Sequence, residues 1–477
     1  MNISIKKPIL VAGVSLSFLL WFWQSLTTQL GNFGDVSFIC LMLSASVFYF
    51  IRSPQRPSPL ITPLDESTFN QNLVTIKKLI NLFAQESAVE GAGFSFTEQL
   101  NYITNQYENK INQKQLLSIN ILSNHHFNSL KINEKLSQIT EFKLFKFDTY
   151  ALSSLTPEKL IEINLKSDLV LLVIQGDITQ SEKIIIEKLA NNYQKILLIF
   201  NQIDYQREFE REIILKQLDN NLSRIITKEE IINICSKDQV IKVKKYFDEN
   251  NYQESEENHQ ANYINLIAKL QNIKEKEVNS LALNSAHRQS IKLKKEIYQA
   301  LNKLRKKRAL PIIEKYQWIA GSATFANPVS SLDLLAVGAV NAQMIIDLGT
   351  IYQQKITLNQ ARQIATELGK LMLKLGIVEM STQAIATILK TNTITYVAGG
   401  ILQGISAAYL TRICSLSLIE YLEKQEIDFD NQIPFKLNIE VIKNNLKWIF
   451  EQNKNPIFLT NFIKKNTFNN EQLINDN

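Results

Sequence analysis

The sequence predicts an α/β plus all-α chain: an N-terminal transmembrane hairpin, a doubly wound parallel-sheet domain and a C-terminal helical bundle. Three observations carry this. Two uncharged apolar runs precede residue 52; short β-branched runs alternate with amphipathic stretches from Leu116 to about Tyr246; and Gln317 to Lys424 is strongly apolar with helical patterning.

The chain has 477 residues, room for two or three separately cored domains. Its bulk composition, 45% hydrophobic and 21% charged, is that of a globular protein. Abundant Ile, Asn and Lys are spread over every segment, which reads as codon bias rather than chemistry. A net charge of +6 is too dilute over this length to imply a nucleic-acid partner, and part of it sits in the basic run from Lys303 to Arg308. Cys40, Cys235 and Cys414 fit no metal or redox spacing and read as reduced structural thiols.

Residues 1–52 form the expected hairpin. Ile9 to Leu26 is uncharged and as a helix spans about 27 Å, close to a bilayer core. Val36 to Ile51 is a second, shorter run bounded by Asp35 and Arg52. Trp21, Trp23, Phe48 and Tyr49 lie near the segment ends, where amphipathic rings meet the interface. Lys6, Lys7, Arg52 and Arg56 flank the pair, while Gln24 to Asp35 carries no basic residue; both ends are therefore expected in the cytoplasm. A cleaved signal peptide is the alternative, but no small-x-small site follows Trp23 and a second apolar run comes at once.

Residues 53–64 are a proline-rich linker, and 65–114 a helical connector split at Gly91-Ala92-Gly93. The α/β domain is placed at 115–250, followed by a charged, solvated helical connector at 251–316. The apolar helical domain occupies 317–424, with a capping box at Thr357 to Gln360, a stop at Gly376 and a last long helix from about Thr393. Residues 425–477 hold one more helix, Ile439 to Gln452, and a frayed tail.

Within 115–250 the strand KILLIF runs into Asn201-Gln202-Ile203-Asp204, an N-K-x-D guanine signature with Gln for Lys. Asp204 would accept from the base and Asn201 would brace the loop. A plain strand-to-helix turn is the alternative. EIINIC ends in Ser236-Lys237, where a second base-contacting loop would sit. The phosphate end differs: over G-x-x-x-x-G-K-[ST], the Gly places fall on Ser123 and Asn128, the Lys on Ser129 and the Mg²⁺ ligand on Leu130. Asp148 takes the first place of a switch-like D-x-x-G whose Gly is Ala151. His125 and His126 have no companions at metal-ligand spacing, so no metal site is expected.

These motifs, with IEKYQWIAGSATFANPVSSLDLL, TLNQARQIATELGKLMLKLG and ISAAYLTRI, resemble cyanobacterial membrane proteins that join an Era-like GTPase domain of P-loop-NTPase fold to a YcjF-type helical domain. The resemblance covers Gln317 to Lys424 well and the α/β part more weakly. It implies architecture, since the family has no established reaction. The expectation is a membrane-anchored pseudo-GTPase without catalytic residues or cofactor, whose partners are the bilayer and an unidentified protein. An active GTPase using GTP and Mg²⁺ and a structural membrane scaffold remain as alternatives. Ile394 to Thr411, uncharged and bearing Gly400-x-x-x-Gly404, fits a bundle core or a third membrane segment. Asp333 reads as a helix cap and Arg412 as a snorkelling charge.

Overall fold

The computed structural model describes residues 64–87, 93–112, 117–124, 126–143, 145–202, 208–248, 251–326, 333–391, 399–429 and 435–464. The expected hairpin, the linker through Pro63, His125 and Asp204 lie outside them. The chain divides into two units: a sheet unit over Leu116–Glu277, and a helical unit that joins Leu64–Gln115 to Val278 onward.

Helices α1 (Glu66–Ser87) and α2 (Phe94–Asn112) come first and belong to the helical unit. The sheet unit then runs β1 (Leu117–Ser123), α3 (His126–Ser137), β2 (Phe145–Ala151), α4 (Pro157–Asn164), β3 (Leu169–Ile174), α5 (Gln180–Asn191), β4 (Lys195–Asn201), α6 (Glu208–Leu222) and β5 (Ile231–Ile234). A hairpin, β6 (Gln239–Asp248) and β7 (Asn251–His259), and α7 (Ile264–Lys276) complete it.

β1 to β5 form one sheet in the order β2-β1-β3-β4-β5, parallel throughout. β3 is buried along its whole length and β4 along all but Lys195, as continuous Leu, Ile and Val runs require when helices cover both faces. Thr156 caps α4 ahead of Pro157, and a Thr179–Glu182 capping box starts α5. The strand order reverses between β1 and β3, so the crevice beyond their carboxyl ends is where this architecture places ligands.

The helical unit continues with α8 (Val278–Ala326), α9 (Asp333–Ile351), α10 (Leu358–Lys374), α11 (Ile377–Thr391), α12 (Gly399–Leu422) and α13 (Ile439–Asn453). α8 has 49 residues, about 74 Å of helix. Ile297, Leu301, Arg305, Ala309 and Ile313 recur every fourth residue and are buried. One end packs with Phe69, Ile76 and Leu79 of α1 and Leu100 and Ile103 of α2, the other with α9 and α12. A Cβ at Gly321 would lie 3.0 Å from the Gly404 carbonyl oxygen and 3.3 Å from the Ala408 methyl. Glycine at 321 thus lets α8 and α12 pack backbone to backbone. The Thr357–Gln360 box starts α10, and Gly376 (φ +69°) ends it.

Several expectations need correction. The segment 251–316 is no solvated connector: it contains β7, α7 and the buried stripe of α8. Its charged composition concealed that stripe, because Arg305 lies inside it. The stretch 65–114 is likewise part of the helical unit's core, and the sheet unit ends near 277 instead of 250. Neither α11 nor the helix of residues 456–464, which buries Leu459, Phe462 and Ile463, was anticipated; the extreme C-terminus lies outside the described residues.

Among the described residues α12 holds the helix long and apolar enough to cross a membrane, Ile401–Leu422, with 61% of the tested stretch buried in the unit. α10 and α11 reach that length and hydropathy only together, and they are bent by 68° at their junction.

Candidate functional site

The sequence motifs converge on the carboxyl edge of the parallel sheet, and the structure separates them into two ends.

At the β4–β5 end, Asn201 closes β4 and is buried. Its Nδ2 donates to Ser236 Oγ at 2.8 Å, while the Ser236 N–H donates to Asn201 Oδ1 at 3.1 Å. This reciprocal pair ties together the two loops expected to grip a guanine, and it uses the amide as a brace. Three further contacts fix the same edge. The Gln202 N–H donates to Ile234 O at 2.9 Å, Cys235 and Asn262 exchange backbone bonds, and the Tyr263 hydroxyl donates to Ser236 O at 3.3 Å. Burial, with Cys235 nearby, pushes the Tyr263 hydroxyl up to about 12, which keeps it a donor. Asp204 lies outside the described residues.

At the β1–β3 end the positions laid over a phosphate loop are not loop residues. β1 ends at Ser123 and α3 is under way at His126, so Asn128, Ser129 and Leu130 sit in its first turns. Ser123 and Ser129 are buried, and Leu130 is exposed. A phosphate cradle needs a longer glycine-rich connection whose N–H groups turn inward. Here only Asn124 and His125 separate strand from helix.

The switch-point crevice instead holds Glu182, buried in the first turn of α5. Its Oε1 accepts from Asn124 Nδ2 at 2.7 Å; its Oε2 accepts from the Thr179 N–H at 2.9 Å and the Thr179 hydroxyl at 2.8 Å. The N-terminus of α5 is thus already occupied by the chain's own carboxyl group. Sequence reading missed Asn124 and Glu182, although Thr179-x-x-Glu182 is a legible capping-box signal.

Asp148 also departs from its expected place. It lies within β2, opposite Asn120, three residues short of the strand's end, and pairs with Lys146 at 3.2 Å. It stands back from the edge where a switch aspartate would meet a phosphate. No group of three or more His, Cys, Asp or Glu among the described residues is arranged to hold a metal ion.

The helical unit contains a polar cluster no motif announced. Glu86 of α1 receives Arg305 Nη2 at 2.7 Å and Arg305 Nε at 3.2 Å, and also pairs with Arg308. Arg305 is only 2% exposed and lies 6.0 Å from the Tyr352 ring centre. The Tyr352 hydroxyl donates to Glu423 at 3.2 Å. Burial pushes Glu423 above the ordinary carboxylate range against the lowering pull of Lys306 and Tyr352, and pushes the Tyr352 hydroxyl well up. Arg412 is half-buried, 3.5 Å from Gln317 Oε1 and 5.9 Å from the Phe458 ring centre. It is packed against protein groups rather than free at a surface.

Residues 288–454 match the family described as Domain of unknown function (DUF697). The match fits a YcjF-like helical domain, and it starts earlier and ends later than the 317–424 read from sequence. No curated protein and no solved structure matches the chain.

Proposed function

We propose that this chain is a membrane-anchored, GTPase-like protein whose sheet domain is a pseudo-GTPase, acting by binding a protein partner or the bilayer. Its guanine end keeps the Asn201–Ser236 brace, while Glu182 and Asn124 fill the crevice where phosphates would enter. That contrast is the observation in favour. The β1–α3 connection, where a P-loop would lie, supplies neither its glycines nor its Lys, and Asn124 beside it is tied to the Glu182 carboxyl group. In this reading no residue is catalytic, and no cofactor is used. The Era-like ancestry and a cyanobacterial plasma or thylakoid membrane setting are parts of the same proposal, resting on the motifs.

The membrane half rests on the two uncharged runs of residues 1–52 and their basic flanks, which leave the bulk of the chain in the cytoplasm. A second reading, a divergent GTPase that binds GTP and Mg²⁺, is favoured by the intact brace alone. A third, a structural membrane scaffold, draws on the apolar α12; its buried faces and the close approach at Gly321 argue for a bundle core instead.

Carbonate extraction tests the anchor. Full-length chain stays with the membrane, and a variant starting near Leu60 is released. Equal retention of the two would move the anchor into the helical unit, with α12 the first segment to examine.

A further inference from the structure

α8 carries two stripes on opposite faces. Ile297, Leu301, Arg305, Ala309 and Ile313 are buried. Lys295, Gln299, Lys303 and Lys307 keep the same four-residue spacing two positions earlier, about 200° around the helix, and all four are exposed. Lys292, Lys306 and Leu310 are exposed beside them. From Lys292 to Leu310 this face is about 27 Å long. Lys292 pairs with Glu296 at 3.8 Å, and Lys306 acts on the Glu423 carboxyl group. Lys295, Lys303 and Lys307 make no ion pair among the described residues.

Elsewhere in the helical unit, lysines are met by an acid three or four positions away. Lys370 pairs with Glu367, Lys424 with Glu420, Lys443 with Glu440 and Lys454 with Glu451, all within 3.1 Å. On α8 those spacings fall on like charges, Lys292 with Lys295 and Lys303 with Lys306 and Lys307. Such pairs repel and weaken the helix that carries them. A solvated face gains nothing from that arrangement, whereas a face laid on negative charge does.

The membrane is a negative surface within reach. Twelve residues, 53–64, separate the basic end of the expected hairpin from the start of the helical unit, about 40 Å of chain even when fully extended. α1 then lies along α8: Asn72 Nδ2 donates to Ser290 Oγ at 2.7 Å, and Glu86 receives Arg305. We infer that the lysine face of α8 rests on anionic lipid headgroups and holds the helical unit against the bilayer. This deepens the reading in which residues 1–52 anchor the chain, and it rests on that reading. Lysines within a Debye length of an anionic leaflet are drawn to it, each adding to the others.

Lysine acetylation by acetic anhydride, read by mass spectrometry on the full-length chain in lipid nanodiscs, tests the contact. Incorporation into neutral phosphatidylcholine discs reports the anchor by itself. In discs rich in phosphatidylglycerol, Lys295, Lys303 and Lys307 react at least about threefold more slowly. Lys370 and Lys454, paired on other helices, keep their rates. Salt at about 1 M, where screening acts within about 3 Å, removes the protection. Equal rates at the three lysines in neutral and anionic discs, with the chain incorporated in both, overturn the lipid contact and leave the anchor standing. Protection that comes with added polyuridylate and not with phosphatidylglycerol assigns the face to nucleic acid and overturns it as well. A chain that enters neither disc removes the anchor, and the lipid contact with it.

Discussion

The sheet unit and the helical unit both bury polar side chains, but at different depths and to different ends. In the sheet unit one set ties the carboxyl edge. Asn201 with Ser236 and Asn124 with Glu182 tie neighbouring loops and turns, each partner lying close to the backbone it supports. In the helical unit one cluster lies inside the bundle and carries charge, Arg305 and Glu86 beside Tyr352 and Glu423. An edge tie can be lost for the cost of a hydrogen bond. Losing one partner of a buried ion pair strands the other charge in a medium that solvates it poorly.

The largest effect therefore belongs to Glu86→Ala. It removes the acceptor of a 2%-exposed Arg305 and costs the helical unit about 3–5 kcal/mol in urea unfolding. Pairing Glu86→Leu with Arg305→Met restores most of that loss, because the buried charge goes with its partner. A cost under about 1 kcal/mol for Glu86→Ala would mean that water reaches the pair, and the contrast between the units would fail.

Asn201→Ala comes next. It removes both bonds to Ser236 and costs the sheet unit about 1–3 kcal/mol, with faster amide exchange at Ser236 and little change in the helical unit. An equal loss in both units would break the comparison from the other side.

The smallest effect is a pH dependence in the helical unit. Glu423 has its native pKa raised above the ordinary 4.5, chiefly by burial. Between 4.5 and that raised value the native chain holds the proton more tightly than the unfolded chain does. Stability from this group is thus full at the acid end, falls as pH rises through the window, and levels off above it. Glu423→Gln removes the slope. Urea midpoints from about pH 4 to about pH 7 for the two chains supply the difference curve. A difference that rises with pH would contradict the assigned direction.

These contrasts were unevenly legible in the sequence. β1, β3 and β4 could be read because strands buried on both faces are nearly continuous apolar runs, and the Thr357–Gln360 box marked a helix start locally. The Asn201–Ser236 brace was half legible: the motif spacing named both residues, but only the fold joins them. The Glu86–Arg305 pair was not legible, since the partners are 219 positions apart and Arg305 lies in a basic run that reads as a solvated face. The β6–β7 hairpin was missed because its strands are too rich in Lys, Glu and Asn to resemble buried β-structure. Asp148, read as the first place of a D-x-x-G, lies within β2, three residues before its end.

The central claim is that the sheet edge has kept a guanine-end brace and lost its phosphate site. Calorimetric titration of the full-length chain with GTP and Mg²⁺ tests it most directly. Micromolar binding needs about 8 kcal/mol. A hydrogen bond to a charged group such as Asp204 supplies only about 1.5–3 kcal/mol, and the β1–α3 connection lacks the glycines and the Lys of a P-loop. The titration should therefore show a dissociation constant near millimolar or weaker. A constant below about 10 µM, equivalent to about −6.8 kcal/mol, that disappears in Asp204→Ala would contradict the claim and make this chain a working guanine-nucleotide binder.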